Sequence, residues 1–316
     1  MKSLFILLAL AIVVSSNTDQ FGEFVTKYSK NYTSSEEYEY RYCNFMNTLS
    51  TIEYLQNSNP LATFGINEFA DMSEDEFKVY HNSDGYELNF SNESKLDEFN
   101  TTLAIDWRKH GAVTSVKNQG QCGSCWAFSA IANIEGQWFL AGNNLTSLSE
   151  QELVSCDSTD NGCNGGLMTN AFSWIVNENG GSVTGFTDYP YVSGNGNVPN
   201  CKESKLDNQV AQICDYTSIE QNETDMAYYV YKHGPISVGV DATSWQTYMS
   251  GIITNCISKQ VDHGVLIVGF DDNNNPPYWI IKNSWGASWG ENGYVRVQKG
   301  IDNCLITTAP SSSVVC

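Results

Sequence analysis

Apolar residues recur with two different periods along this chain, and the change of period divides it. Ser34 with Glu37 forms a capping-box pattern, after which Tyr38, Tyr42, Phe45, Leu49 and Ile52 fall at spacings of four and three. That is one apolar face of a helix. Ser73 with Glu76 marks a second helix start. These helices alone bury little, so their apolar face is expected to rest on the remainder of the chain. From Leu103 onward the pattern is denser. In "CWAFSAIANIEGQWFLAG", Phe128, Ile131, Ala132, Ile134, Trp138 and Phe139 suit a buried helix, with Gly142 as its stop. "GPISVGV", "HGVLIVGF" and "PYWIIKNSW" are β-branched and aromatic runs bounded by turn residues, and so predict strands. A first half that leans helical and a strand-rich second half predict an α+β arrangement.

The chain has 316 residues, and its first sixteen read differently from the rest. Lys2 precedes an unbroken apolar run from Leu4 to Val14, followed by Ser15 and Ser16. Such a run is short for a membrane span and fits a signal peptide over 1–16. Secretory entry permits disulfides among the ten cysteines. It also gives meaning to the N-x-[ST] sites at Asn31, Asn89, Asn92, Asn100, Asn144 and Asn222. The polar stretch from Asn82 to Asn100 reads as a linker, separating a leader at 17–100 from a globular part at 101–316. A formal net charge of −20 argues against a nucleic-acid partner. No basic cluster offers a membrane footprint.

The chemistry starts at "CGSCW". A redox pair needs βαβ units nearby, and a zinc site needs a second CxxC or paired histidines; neither accompanies Cys122 and Cys125. No metal or cofactor is expected. The remaining reading makes one cysteine a staple and the other a reactive thiol. If Ser124 caps the helix, Cys125 sits in its first turn, where unpaired N–H groups favour a thiolate. His263 opens an apolar strand. If Phe270 pairs with Tyr278, Asn283 lies opposite Val265 and shares a sheet face with His263. Thiolate, imidazole and an orienting amide together suit acyl transfer. Gln119, on the Gly-rich loop before Cys125, is placed to stabilise an oxyanion beside the Cys125 backbone N–H.

Taken with "QGQCGSCWAFS", "GCNGGLM", "DHGVLIVGF" and "IIKNSWGASWGENGY", these residues show that the chain resembles the papain-like cysteine proteases, in particular the cathepsin L-like branch. The resemblance implies a helical left subdomain, a barrel-like right subdomain and a substrate cleft between them. It implies Cys125 as nucleophile, His263 as base, Asn283 as ring orienter, Gln119 in the oxyanion hole and Trp285 as a shield over the His–Asn contact. Gly165 and Gly166 would bind extended substrate through backbone, and the Asp262 backbone would meet the residue before the scissile bond. Leu167, Met168, Gly239, Gly264 and Ala309 match the main specificity pocket and suit apolar side chains.

The leader resembles the family's inhibitory pro-segment through Glu37, Arg41, Phe45 and Ile52, with Thr48 and Gln56 in place of two asparagines. Gly65, Asn67, Phe69 and Asp71 complete a second family motif. Carried-over disulfides are Cys122–Cys163, Cys156–Cys201 and Cys256–Cys304, leaving Cys43, Cys214 and Cys316 unassigned. Leu305 stands where the family has glycine, so the last strand is expected to run differently.

The function implied is a monomeric endopeptidase made as a zymogen, acting on proteins and peptides. Its inhibitors would be its own pro-segment and cystatin-like proteins, and its destination a lysosome-like compartment or the extracellular space. The alternatives are an inactive binding or storage protein and an exopeptidase. All four catalytic positions are kept, and no paired-histidine insertion or exclusion domain is present. The leader carries 5 Lys/Arg against 16 Asp/Glu, and residues 101–316 carry 10 against 20. Global charge therefore predicts repulsion. Inhibition that loosens on acidification must then come from local contacts, with the Glu37–Arg41 pair and Asp71 as candidates.

Overall fold

A computed structural model describes residues 19–81, 103–258 and 260–316. The expected signal segment at 1–16 and the candidate sites at Asn89, Asn92 and Asn100 lie outside the described residues. Helix α1 covers 19–27, and α2 spans Ser35–Ser58. Ser34 Oγ accepts from Glu37 N at 3.1 Å, but Glu37 reaches back to Thr33 N at 2.7 Å, so only half of the expected capping box is made. At α3 (Glu74–Phe77) the Ser73–Glu76 box is complete.

Most of the apolar face of α2 rests on α1 rather than, as its pattern suggested, on the later domain, and only its end, at Ile52, packs on the core shared with that domain. Phe45 packs on Phe21 and Phe24 of α1, with ring centroids 5.2 and 5.1 Å apart, in a small core that includes Ala70. The buried Asp71 accepts from Lys30 Nζ at 2.8 Å and Tyr32 hydroxyl at 3.0 Å, so both of these contacts lie within the leader. Arg41 bonds Glu76 at 2.9 Å rather than Glu37.

Beyond α2 the leader joins the main domain. Strand β1 (Ala62–Phe64) pairs antiparallel with β6 (Tyr248–Ile253), extending the sheet by one strand. Gln56, where the family has asparagine, ties α2 to this strand: its amide donates to Ala62 O at 2.8 Å and accepts from Phe64 N at 3.2 Å. The buried Asn59 Oδ1 accepts from Thr254 N and Asn255 N at 2.9 and 2.8 Å. Leu55, Phe64, Phe69, Phe77 and Tyr80 enter the same core as Trp245, Trp279 and Trp289 of the main domain.

In the main domain, α4 (Cys125–Leu140), α5 (Glu150–Cys156) and α6 (Met168–Asn177) enclose a helical core of Trp126, Ile131, Ile134 and Phe172. Gly142, at φ +96°, follows the C-cap of α4, where its N–H bonds Phe139 O. The strands are β2 (Ala104–Asp106), β3 (Ser182–Thr184), β4 (Gln209–Ser218), β5 (Ile236–Val240), β6, β7 (His263–Asp271), β8 (Tyr278–Lys282), β9 (Tyr294–Gln298) and β10 (Thr308–Val315). They form one sheet in the order β1-β6-β9-β8-β7-β5-β10-β4-β3, with β2 on β7. Helix α7 (Glu223–His233) packs beside it. No described helix is long and apolar enough to cross a membrane.

Disulfides join Cys122 to Cys163, Cys156 to Cys201 and Cys256 to Cys304. A fourth, Cys214–Cys316, ties β4 to the end of β10, where Val315 faces Ile213. Leu305 keeps a left-handed backbone, φ +56°, that glycine would adopt freely. This costs an L-residue about 1–2 kcal/mol. The last strand nevertheless pairs with both β4 and β5.

Replacing Asn59 by alanine should take the acceptor from two backbone N–H groups of the main domain, Thr254 and Asn255. Each such bond contributes about 0.5–1.5 kcal/mol net, so a separately produced leader should bind the main domain roughly five- to hundredfold more weakly. Titration of the two purified pieces checks this.

Candidate active site

The loop before α4 is held from both sides. Gln119 N donates to Ser284 O at 2.9 Å, and Gly286 N donates to Lys117 O at 3.1 Å. The fully buried Gln119 side chain accepts from Ser284 Oγ at 2.6 Å and donates to Cys122 O at 2.8 Å. An amide nitrogen carries two hydrogens, so one N–H remains for a ligand. Ser284 and Tyr191, whose hydroxyl donates to Gln119 O at 2.8 Å, were not singled out from sequence, because neither lies next to Gln119 along the chain.

Ser124 occupies the N-cap position of α4, but its hydroxyl makes no cap bond; it pairs with Tyr191 at 2.9 Å. Cys125 is therefore the first residue of a helix whose positive end has no side-chain cap. It is fully buried and outside the disulfides, as is the exposed Cys43.

His263 begins β7. The expected β7–β8 register is off by one near the turn, where Asp271 faces Tyr278 and Phe270 faces Trp279. An irregularity between Ile267 and Gly269 absorbs one residue, and Leu266 then faces Lys282, as the expected register requires. Close packing accompanies the irregularity: a Cβ at Gly269 would stand 2.1 Å from Ile105 O on β2. His263 Nε2 lies 2.7 Å from Asn283 Oδ1 and donates to it, leaving Nδ1 as the ring nitrogen without a hydrogen-bond partner among the described residues. Trp285 covers the imidazole with its ring centroid 4.9 Å away.

The positions expected to receive substrate lie around this centre. Gly165 and Gly166 precede α6, and a Cβ at Gly166 would meet Trp126 and Asp160 atoms at 2.7 Å, so only glycine fits there. Leu167 is the N-cap position of α6 and the buried Met168 its first residue. On the sheet, Gly239 faces Gly264 across β5–β7 and Thr308 across β5–β10, with Ala309 next along at φ +48°. The Asp262 carboxylate accepts from Ala242 N at 2.9 Å and Thr243 Oγ1 at 3.3 Å, which fixes the backbone leading into His263.

The leader roofs this centre. Phe77 packs edge-on to Trp285 at 5.0 Å, Trp285 Nε1 donates to Tyr80 O at 2.9 Å, and His81 Nδ1 lies 2.9 Å from Asp262 Oδ2.

Comparison with known proteins agrees with this geometry. The family model "Papain family cysteine protease" matches residues 101–314, and "Cathepsin propeptide inhibitor domain (I29)" matches 21–77. The chain belongs to the papain family of cysteine proteases. The leader is its pro-segment, so the chain is a zymogen. A cysteine proteinase of Trypanosoma brucei brucei is 50% identical over 94% of this chain and 67% of its own length. Cysteine proteinase 1 of Dictyostelium discoideum is 42% identical over 99% of this chain and 98% of its own. Among solved structures, digestive procathepsin L 3 of Tenebrio molitor shares 33% identity at a TM-score of 0.80, covering 95% of this chain and 99% of that one. Recombinant stem bromelain precursor shares 34% at 0.81, also over 95% and 99%.

Burial pushes His263 down to about 4, against an ordinary value near 6.5; the Asn283 bond and the Asp262 charge partly oppose this, and His81 adds to it. The covered imidazole thus stays neutral over a range in which an open one takes up a proton. If His263 returns toward its ordinary value once the pro-segment leaves, the freed enzyme binds more protons than the complex between about pH 6.5 and 4, so acidification through that window should weaken pro-segment binding, by at most about tenfold per unit. Calorimetric affinities of the separate pro-segment, at fixed salt, should fall from pH 7 to 4. The fall should be shallower with His263→Ala enzyme. A slope unaltered by His263→Ala would refute the assignment.

Proposed function

We propose that this zymogen matures into a cysteine endopeptidase in which Cys125 is the nucleophile, His263 its base, Asn283 the ring orienter and Gln119 an oxyanion donor. The observation that carries this reading is the 2.7 Å His263 Nε2–Asn283 Oδ1 contact beneath Trp285. It holds one tautomer and leaves the other ring nitrogen available for proton exchange with the thiol.

In the first half-reaction His263 takes the Cys125 thiol proton, Sγ adds to the scissile carbonyl carbon, and the oxygen takes up the negative charge against Gln119 Nε2 and the Cys125 backbone N–H. The C–N bond then breaks, the imidazolium gives its proton to the departing amine, and a thioester remains. Water adds next, His263 accepts its proton, and the carboxylic acid leaves as the C–S bond breaks. The open side of the cleft at Gly165 and Gly166 would hold extended substrate.

Leu167, Met168, Gly239, Gly264 and Ala309 would line the pocket for the residue two before the cut. None is charged, and the two glycines leave room. Burying a leucine side chain gains about 1.5–3 kcal/mol, whereas an unpaired guanidinium costs several. We infer apolar preference there and place the mature domain at 101–316. Of the described glycosylation candidates, Asn31 and Asn144 are exposed, whereas Asn222 is spent on capping α7, its side chain bonding Asp225 twice.

Incubating the purified precursor at acidic pH with a peptide library tests activity and preference together. Leu or Phe two residues before the cut should exceed Arg at least tenfold in kcat/KM, and equality would sink the pocket assignment. Cys125→Ala should abolish turnover in a folded protein, with Cys125→Ser nearly as inactive because a hydroxyl ionises far less readily than a thiol. Activity retained by the alanine variant would end the proposal.

A further inference from the structure

We propose that Ser129 is a positioning residue for the reacting pair, fixing the helix that carries Cys125 against the strand that carries His263; this rests on the reading of those two residues as nucleophile and base. Helix α4 is largely apolar, yet Cys125, Ser129, Asn133 and Gln137 recur at every fourth position. Residues four apart share one helix face. Below Cys125, each member of this stripe bonds the sheet side of the molecule. Ser129 Oγ donates to Val265 O at 2.7 Å, and Ser129 O accepts from Ser237 Oγ at 3.0 Å. Asn133 bonds Pro235 O at 2.9 Å, Ser312 Oγ at 3.1 Å, and Ser313 N and Oγ both at 2.8 Å. Gln137 Nε2 reaches Pro235 O at 3.2 Å.

Two spacings make Ser129 special within the stripe. Cys125 and Ser129 are one turn apart, about 6 Å along the helix. His263 and Val265 are two residues apart on one strand, about 6.6–6.8 Å, with side chains on the same face. The Ser129–Val265 bond is therefore made one step below the reacting pair on both elements at once. Apolar packing tolerates sliding, whereas a hydrogen bond at 2.7 Å fixes both separation and direction. Ser129 is buried, so no water competes for the Val265 carbonyl. Asn133 and Gln137 lie one and two turns further from Cys125 and serve the same interface without setting that step.

The test uses mature enzyme processed from the full chain. Ser129→Ala should lower kcat about ten- to hundredfold with KM changed less than about twofold, as expected for a misplaced reacting group. The acid limb of the kcat/KM profile should move up by about half a pH unit or more, since the thiolate loses support from the imidazolium. Reaction of Cys125 with a neutral disulfide reagent at acidic pH should slow correspondingly. Asn133→Ala and Gln137→Ala should lower the thermal midpoint but leave kcat and the acid limb in place. A Ser129→Ala enzyme that changes only in thermal midpoint, or an Asn133→Ala enzyme with an equally shifted acid limb, would overturn the proposal. Should Ser129→Ala fail to fold, Ser129→Cys decides, because its S–H is a weak donor to Val265 O: unchanged kcat and acid limb would overturn it. The underlying reading fails separately, if Cys125→Ala still hydrolyses peptide.

Discussion

A thiol and an imidazole carried by different elements act as a pair only if the packing between those elements fixes their separation. Here that packing is the contact of α4 with the sheet, and it is polar where most helix–sheet contacts are apolar. Ser129, Asn133 and Ser237 cross it, and a buried charge group continues it. Lys117 bonds Glu135 and Glu150, and Lys282, beside Asn283, donates to Thr114 at 2.9 Å. Burial pushes Lys282 down to about 8, with the Glu135 charge opposing. Such groups add little net stability, because each gave up hydration to enter the interface. Their effect is selective: a shifted packing would strand them unpaired, at higher cost than the correct one gains.

The reading from sequence succeeded where chemistry is local. The Cys125 helix, the β7 and β8 strands and the Ser73–Glu76 cap are written in contiguous residues, and the structure has them. It went astray where a neighbour decides. The cover of α2 comes from α1, whose Phe21, Phe24 and Val25 form an apolar cluster too short to show a helical period by itself. Glu37 and Arg41 sit one turn apart, yet each has a better partner brought in by the fold. The β7–β8 register was off at the turn and correct at its far end, because of an irregularity between them that no periodicity in β7 encodes. The polar stripe of α4 was readable at fourfold spacing, but its meaning needs the strands it faces.

The pro-segment covers the same surface as the proposed active centre. Trp285 lies over His263 and is also the platform for Phe77 and Tyr80. The pro-segment thus closes over the tryptophan that covers the proposed base. The other contacts include a backbone strand pair, amides at Asn59, Asn67 and Gln246, the Glu68 carboxylate accepting from Ser288 Oγ at 2.6 Å, and aromatic packing. Among the described residues, one ion pair crosses the boundary, His81–Asp262.

That near-neutral boundary explains how two strongly acidic pieces stay together. Charges spread over their surfaces repel through water and are screened beyond about 8 Å at physiological salt. The close contacts are short-ranged, mostly uncharged and hardly screened. Among the described residues, the carboxylates at the boundary are Glu68 and Asp262, and the buried Asp71 takes its Lys30 and Tyr32 bonds inside the pro-segment. Sensitivity to pH can also enter through a group that is buried rather than paired. His263 is such a group, so the proposed base is also one through which protons would compete with the inhibitor.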